Sequence, residues 1–116
     1  PIIIGHSGKI LFDDTAMLMR KHKNIFADIS TNLGRNEEFK FMPLVWLLSK
    51  IKIWTGSFER VFFGTDYPMY MAKETLTGLN DAANYLNKEN KDFVTGEDIN
   101  KITFLNAQKL FHLIKR

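Results

Sequence analysis

His6 and Asp66 are the two side chains in this sequence whose types and positions best suit a chemical step. His6 follows the apolar run Ile2-Ile3-Ile4 by two positions, and Asp66 follows Val61-Phe62-Phe63 by three. Each run reads as a strand. Glycine flanks each polar residue, with Gly5 and Gly8 about His6 and Gly64 ahead of Asp66. Glycine there lets backbone and ligand approach closely. A neutral imidazole and a carboxylate are suitable ligands for a cation such as Zn2+. Spacing alone leaves other readings open. A histidine after a strand also serves as a hydrogen-bonded packing residue. Asp66 ahead of Tyr67-Pro68 suits a turn, because Asp bonds its own backbone and proline holds Tyr67 extended. Two ligands also fall short of the three protein ligands plus water that catalytic zinc usually takes.

The elements that must position these residues alternate between strand and helix. Ile2-Ile3-Ile4 is a short β-branched run that predicts a strand buried on both faces. "FDDTAMLMRKHK" predicts a helix with Asp13 or Asp14 as N-cap and Ala16, Met17 and Met19 on its apolar face. Residues 24–30 predict a second strand, with Ile25, Ala27 and Ile29 alternating against Phe26 and Asp28. Residues 31–42 read as a polar loop with a helical turn near "NEEF". Pro43 opens a helix through Trp54, since its missing N–H costs nothing in a first turn. Residues 61–64 predict the third strand. A helix over 73–86 follows, weakened by Gly78. Thr95 with Asp98 forms a capping-box pattern that opens a last helix over 97–113. The order β-α-β-α-β-α predicts right-handed crossovers and one α/β domain with a covered parallel sheet. In such sheets active groups gather beyond the carboxyl ends of the strands. His6 and Asp66 therefore belong at the same end.

Bulk properties narrow the function classes. The 116 residues are 45% hydrophobic and 25% charged, which suits a soluble globular chain. The net charge of +3, from 16 basic and 13 acidic residues, is too small to indicate nucleic acid. The basic stretch Arg20-Lys21-His22-Lys23 reads as a helix end, where cations complement the helix dipole. No apolar run approaches the roughly 20 residues that span a bilayer, so no membrane partner is expected. With no cysteine, a disulfide framework, a thiolate metal site and a cysteine nucleophile are all excluded. A cytoplasmic location fits. The opening "PIIIG", a strand with no initiator methionine before it, predicts a piece of a longer chain.

Four segments together carry a family resemblance. "PIIIGHSG" resembles the sixth-strand segment of the amidohydrolase-related metal-dependent hydrolases, the group that includes aminocarboxymuconate-semialdehyde decarboxylase. "NIFADIS" resembles their seventh strand and "ERVFFGTDYP" their eighth-strand signature. "TGEDINKITFLNAQKLFHL" resembles their closing helix. The likeness implies that the 116 residues are the last three β/α units of a (β/α)8 TIM barrel, whose full length is about 250 residues. It implies that Asp66 is the strand-eight aspartate, which binds or contacts a divalent metal, most simply Zn2+. That residue would take a proton from water and return it to the leaving group. It implies that His6 is the strand-six histidine, either a metal ligand or a polarising group. The family's first-strand H-x-H pair and fifth-strand histidine have no match in these residues.

The resemblance therefore implies metal-dependent hydrolysis of a C–N or C–O bond, or a related non-oxidative decarboxylation, with this piece inactive by itself. The small-molecule substrate would be a carboxylic acid if Arg35 meets it, since Arg suits bidentate recognition. Lys9 stands where the family often has glycine and reads as solvated. Trp46 and Trp54 read as core, and His22 and His112 as surface or helix-end residues. Unpaired strand edges would favour association into homo-oligomers. The rival reading is a stand-alone α/β module for binding or assembly, without catalysis.

Overall fold

The computed structural model describes residues 1–114. Three parallel strands form one sheet in the order β1 (Ile2–Ile4), β2 (Ile25–Asp28), β3 (Val61–Phe62). Ile4 pairs with Ala27 and Ala27 with Val61, so these three share a face. Ala27 and Val61 are fully buried there. On the other face Ile3, Phe26, Asp28 and Phe62 follow from the same register. Phe26 stacks on Phe62 with ring centroids 5.3 Å apart. The alternation expected for the second strand is thus observed. The double-sided burial expected for the first is not. Ile2 is 56% exposed and Ile3 49%, because β1 is an outer strand with a partner on one side only.

Each helix forms for a local reason and buries one stripe. In α1 (Phe12–Lys21) the acidic pair Asp13 and Asp14 lies in the first turn and Arg20 with Lys21 in the last, both complementing the dipole. Neither aspartate is the N-cap. Leu11 takes that place, its carbonyl accepting the Thr15 N–H, and no side chain caps it. Helix α2 (Met42–Thr55) has Pro43 in its first turn and ends on Gly56, whose left-handed φ of 85° suits a C-cap. Its buried stripe of Leu44, Val45, Leu47, Leu48 and Ile51 is the centre of the core. Met19 from α1, Ile29 after β2, and Leu79 with Ala82 from α3 (Ala72–Glu89) complete it. Gly78 weakens α3 in isolation, yet here it makes room: a Cβ at that position would stand 2.5 Å from a Leu33 methyl. Both tryptophans depart from the core expectation. Trp46 is 53% exposed on α2, and Trp54 is 37% exposed with the Arg20 guanidinium 5.5 Å from its ring.

The last segment is helical throughout but not uniform. Thr95 and Asp98 form the expected capping box, each backbone N–H donating to the other's side chain at 3.0 Å. Helix α4 (Gly96–Asn100) then widens into a π turn over Lys101–Leu105 before α5 (Asn106–Ile114). A π turn displaces a carbonyl from the regular ladder, and in this stretch Ile102 O accepts the Phe63 N–H at 2.9 Å. The Asn106 amide donates to Phe58 O at 2.7 Å and to Val61 O at 2.9 Å. The carbonyls of Arg60 and Phe62 point to β2, so the groups of residues 61 and 63 face the outer edge. The helical segment therefore occupies the β3 edge at which a further strand would pair. The β1 edge stays open. Among the described residues no helix is long and apolar enough to cross a membrane.

Candidate active site

The turn after β1 holds His6 in a conformation that side chains seldom adopt. His6 (φ 56°) and Ser7 (φ 52°) lie in the left-handed α region, a cost of roughly 1–2 kcal/mol for each such residue, and Lys9 also has a positive φ of 55°. Surrounding bonds hold it there. Asp28 Oδ1 accepts the His6 N–H at 3.1 Å, and the buried Ser7 hydroxyl donates to Asp28 O. Thr15 Oγ1 donates to Ser7 O at 2.8 Å, while Asn32 Nδ2 donates to His6 O at 2.9 Å. Gly8, at φ 73°, is required because a Cβ would meet Thr15 Oγ1 at 2.6 Å. Strain of this kind persists only where neighbours over-determine it. It is a feature of sites.

The His6 ring lies against the end of β2. His6 Nδ1 is 2.7 Å from Ser30 Oγ, and Ser30 Oγ in turn donates to Asp28 Oδ1, which also accepts the Ser30 N–H at 3.0 Å. The other ring nitrogen, Nε2, has no hydrogen-bond partner among the described residues. Asp28 and Ser30 were not distinguished in the sequence beyond their place on the second strand. The available signal was a carboxylate at a strand's carboxyl end with a serine two positions on.

Asp66 lies beyond β3 at φ 64°, exposed. Its backbone carbonyl, not its carboxylate, closes the turn by accepting the Met69 N–H at 2.9 Å. The carboxylate has no hydrogen bond or ion pair among the described residues. The turn therefore uses this residue's backbone and leaves its side chain unspent. The peptide between Tyr67 and Pro68 is cis.

His6 and Asp66 line one cleft of about 300 Å3 at the carboxyl ends of the strands, together with Lys9, Thr31, Leu33, Arg35, Met69 and Tyr70. Lys9 is not merely solvated. Its Nζ donates to Thr31 O at 2.7 Å, which fixes a cation at the cleft wall. Arg35, on the loop, supplies a second. Thr31 is buried, and its hydroxyl has no hydrogen-bond partner among the described residues. A larger cleft of about 600 Å3 lies between the loop before α2 and the start of α3, but it holds no histidine, and its Lys40 is paired with Glu74. The smaller cleft is the one that brings His6 and Asp66 together. His22 caps the end of α1 and His112 is exposed on α5, so neither reaches it.

A divalent ion's requirements are met in part. An imidazole nitrogen and a carboxylate without other partners share the cleft, both of suitable chemistry. Among the described residues no group of three His, Cys, Asp or Glu side chains is arranged to hold a metal. Among the described residues the cleft supplies two side chains of that chemistry, His6 and Asp66.

A parallel α/β sheet carries an imidazole and a carboxylate beyond its strand ends. The amidohydrolase family model matches residues 1–113, and the chain belongs to that family. The family fold is the TIM barrel, its members typically use divalent metals, and membership points to a hydrolase-like enzymatic function. No curated protein and no solved structure matches the chain.

Proposed function

We propose that these residues are the last three β/α units of a (β/α)8 amidohydrolase barrel, contributing His6 and Asp66 to its metal-dependent site. The single domain of residues 1–116 is then the C-terminal portion of one barrel. The observation that carries the reading is the sharing of one cleft by an unpaired carboxylate and an unpaired imidazole nitrogen, in a chain of this family. A bound divalent ion, most simply Zn2+, supplies Lewis acidity and lowers the pKa of water toward neutrality. Asp66 accepts the proton from water at its carboxylate and returns it to the leaving group. His6 offers Nε2 as a ligand or as a polarising group beside the substrate. The remaining ligands come from elements other than these three units.

The substrate is a small carboxylic acid. Lys9, fixed by Thr31 O, and Arg35 line the cleft wall as cations. Arg recognises a carboxylate bidentately, whereas Lys acts as a point charge. The reaction is hydrolysis of a C–N or C–O bond, or decarboxylation without redox. Asp66→Asn keeps the shape and removes the proton acceptor, so turnover of the full chain falls by about 10^2–10^4 with its melting curve unchanged. Retained turnover removes Asp66 from the mechanism.

A second reading rests on the covered β3 edge and on the donor set of two. In it the chain is a non-catalytic α/β module. Equilibrium dialysis with Zn2+ separates the two. Tight binding by the full chain supports the enzyme, and weak binding by the full chain supports the module.

A further inference from the structure

The hydrogen bonds around His6 have only one consistent set of directions. Asp28 Oδ1 accepts from three donors, the backbone N–H groups of His6 and Ser30 and the Ser30 hydroxyl. An ionised carboxylate donates nothing, so the Ser30 hydrogen points to Asp28. Ser30 Oγ then has only lone pairs left for His6 Nδ1, 2.7 Å away. Nδ1 must therefore be the protonated nitrogen. We propose that Ser30, aimed by Asp28, is a positioning residue that locks His6 as the Nδ1–H tautomer and leaves the Nε2 lone pair free in the cleft.

Gly64 contributes to the same device from β3's exit. A Cβ there would stand 3.3 Å from Ser30 Cβ, so the glycine lets Ser30 sit between His6 and Asp28 without displacement. Three strand ends thus meet on one hydroxyl. In unstrained peptides the two neutral tautomers of histidine interconvert, and only a partner on one nitrogen selects between them. Outer-shell hydrogen bonds of this type also raise the basicity of the free nitrogen and fix the ring plane, and their loss typically costs about 10–100-fold in metal affinity or activity. The role assigned to Ser30 rests on the reading of His6 as a site residue. The tautomer itself does not.

The test is 15N NMR of the full chain labelled at histidine, in chelator-treated solution at a pH where His6 is neutral. The His6 signals are assigned by their loss in His6→Asn. The expected spectrum has Nδ1 in the pyrrole-like range and Nε2 in the pyridine-like range. Ser30→Ala removes one oxygen and adds no atom, and it should move His6 toward a mixture of tautomers. Asp28→Asn keeps an acceptor oxygen for all three donors and should retain the Nδ1–H form. Zn2+ affinity, read by chelator competition, should fall about 10–100-fold in Ser30→Ala and much less in Asp28→Asn. Wild-type signals showing Nε2–H overturn the proposal. So does an unchanged tautomer in Ser30→Ala, or its loss in Asp28→Asn alone. If the tautomer behaves as stated but Asp66→Asn keeps full turnover, Asp66 leaves the mechanism and the tautomer assignment stands.

Discussion

Asn106→Ala removes the side chain that, with the Ile102 carbonyl, closes the outer edge of β3 among the described residues. Asn106 is 5% exposed, and its amide donates at 2.7 and 2.9 Å to the carbonyls of Phe58 and Val61, residues that are themselves 1% and 0% exposed. The bond to Phe58 O, which still accepts the Val61 N–H, is worth about 1 kcal/mol, and Val61 O left buried without a donor costs about 1–3 kcal/mol. Alanine returns roughly 0.5 kcal/mol through its better helix propensity. The net expectation is a loss of about 2–3 kcal/mol, a large share of the 5–15 kcal/mol typical of a domain. With a urea dependence of about 1.5 kcal/mol per molar, the unfolding midpoint falls by roughly 1.5–2 M. Asn100→Ala is the matched control. Asn100 lies in the same helical segment but is exposed, so its change should stay within about 0.5 kcal/mol. Equal midpoints for the two variants in urea denaturation, read by circular dichroism, would refute the view that the helix seals this edge.

Other expectations follow from packing and charge. Gly78→Val drives methyl groups into Leu33 and Leu44, and overpacking of about 1–3 kcal/mol outweighs the gain in helix propensity. The melting temperature should drop by several degrees, and a rise would show that Leu33 can move aside. Lys40 and Glu74 form a hydrogen-bonded ion pair that holds the Glu74 carboxyl below its ordinary range and the Lys40 ammonium above its own. The Glu74 contribution is present above the ordinary carboxylate value of 4.5 and is lost as pH falls through its depressed value. The Lys40 contribution is present below 10.5 and is lost as pH rises through its raised value. Glu74→Gln should therefore lower the urea midpoint modestly near neutral pH and converge with the parent at acid and strongly alkaline pH. A constant difference across that range would show that packing, not charge, links these residues.

Local chemistry in the sequence determined much of this protein. β-branched and alternating runs marked all three strands, Pro43 and Gly56 bracketed α2, and Thr95 with Asp98 opened the last helical segment, because each depends on neighbours a few residues apart. The two candidate residues beyond β1 and β3 were legible for the same reason: parallel strands share a direction, so polar residues after them gather at one end. Where partners are distant in the chain, the sequence was silent. Nothing local says that β1 is an outer strand with Ile2 and Ile3 exposed, or that Trp46 stands out from an apolar helix. The connection of Asp28 and Ser30 to His6 spans more than twenty residues, and that of Asn106 to Val61 spans 45. Lys9 reads as solvated in the sequence, whereas its ammonium donates to Thr31 O, and spacing leaves Asp66 open between a turn and a site, whereas the backbone alone closes that turn. Burial, edge position and the direction of a shared hydrogen bond belong to the packed chain, because each is set by what arrives from elsewhere.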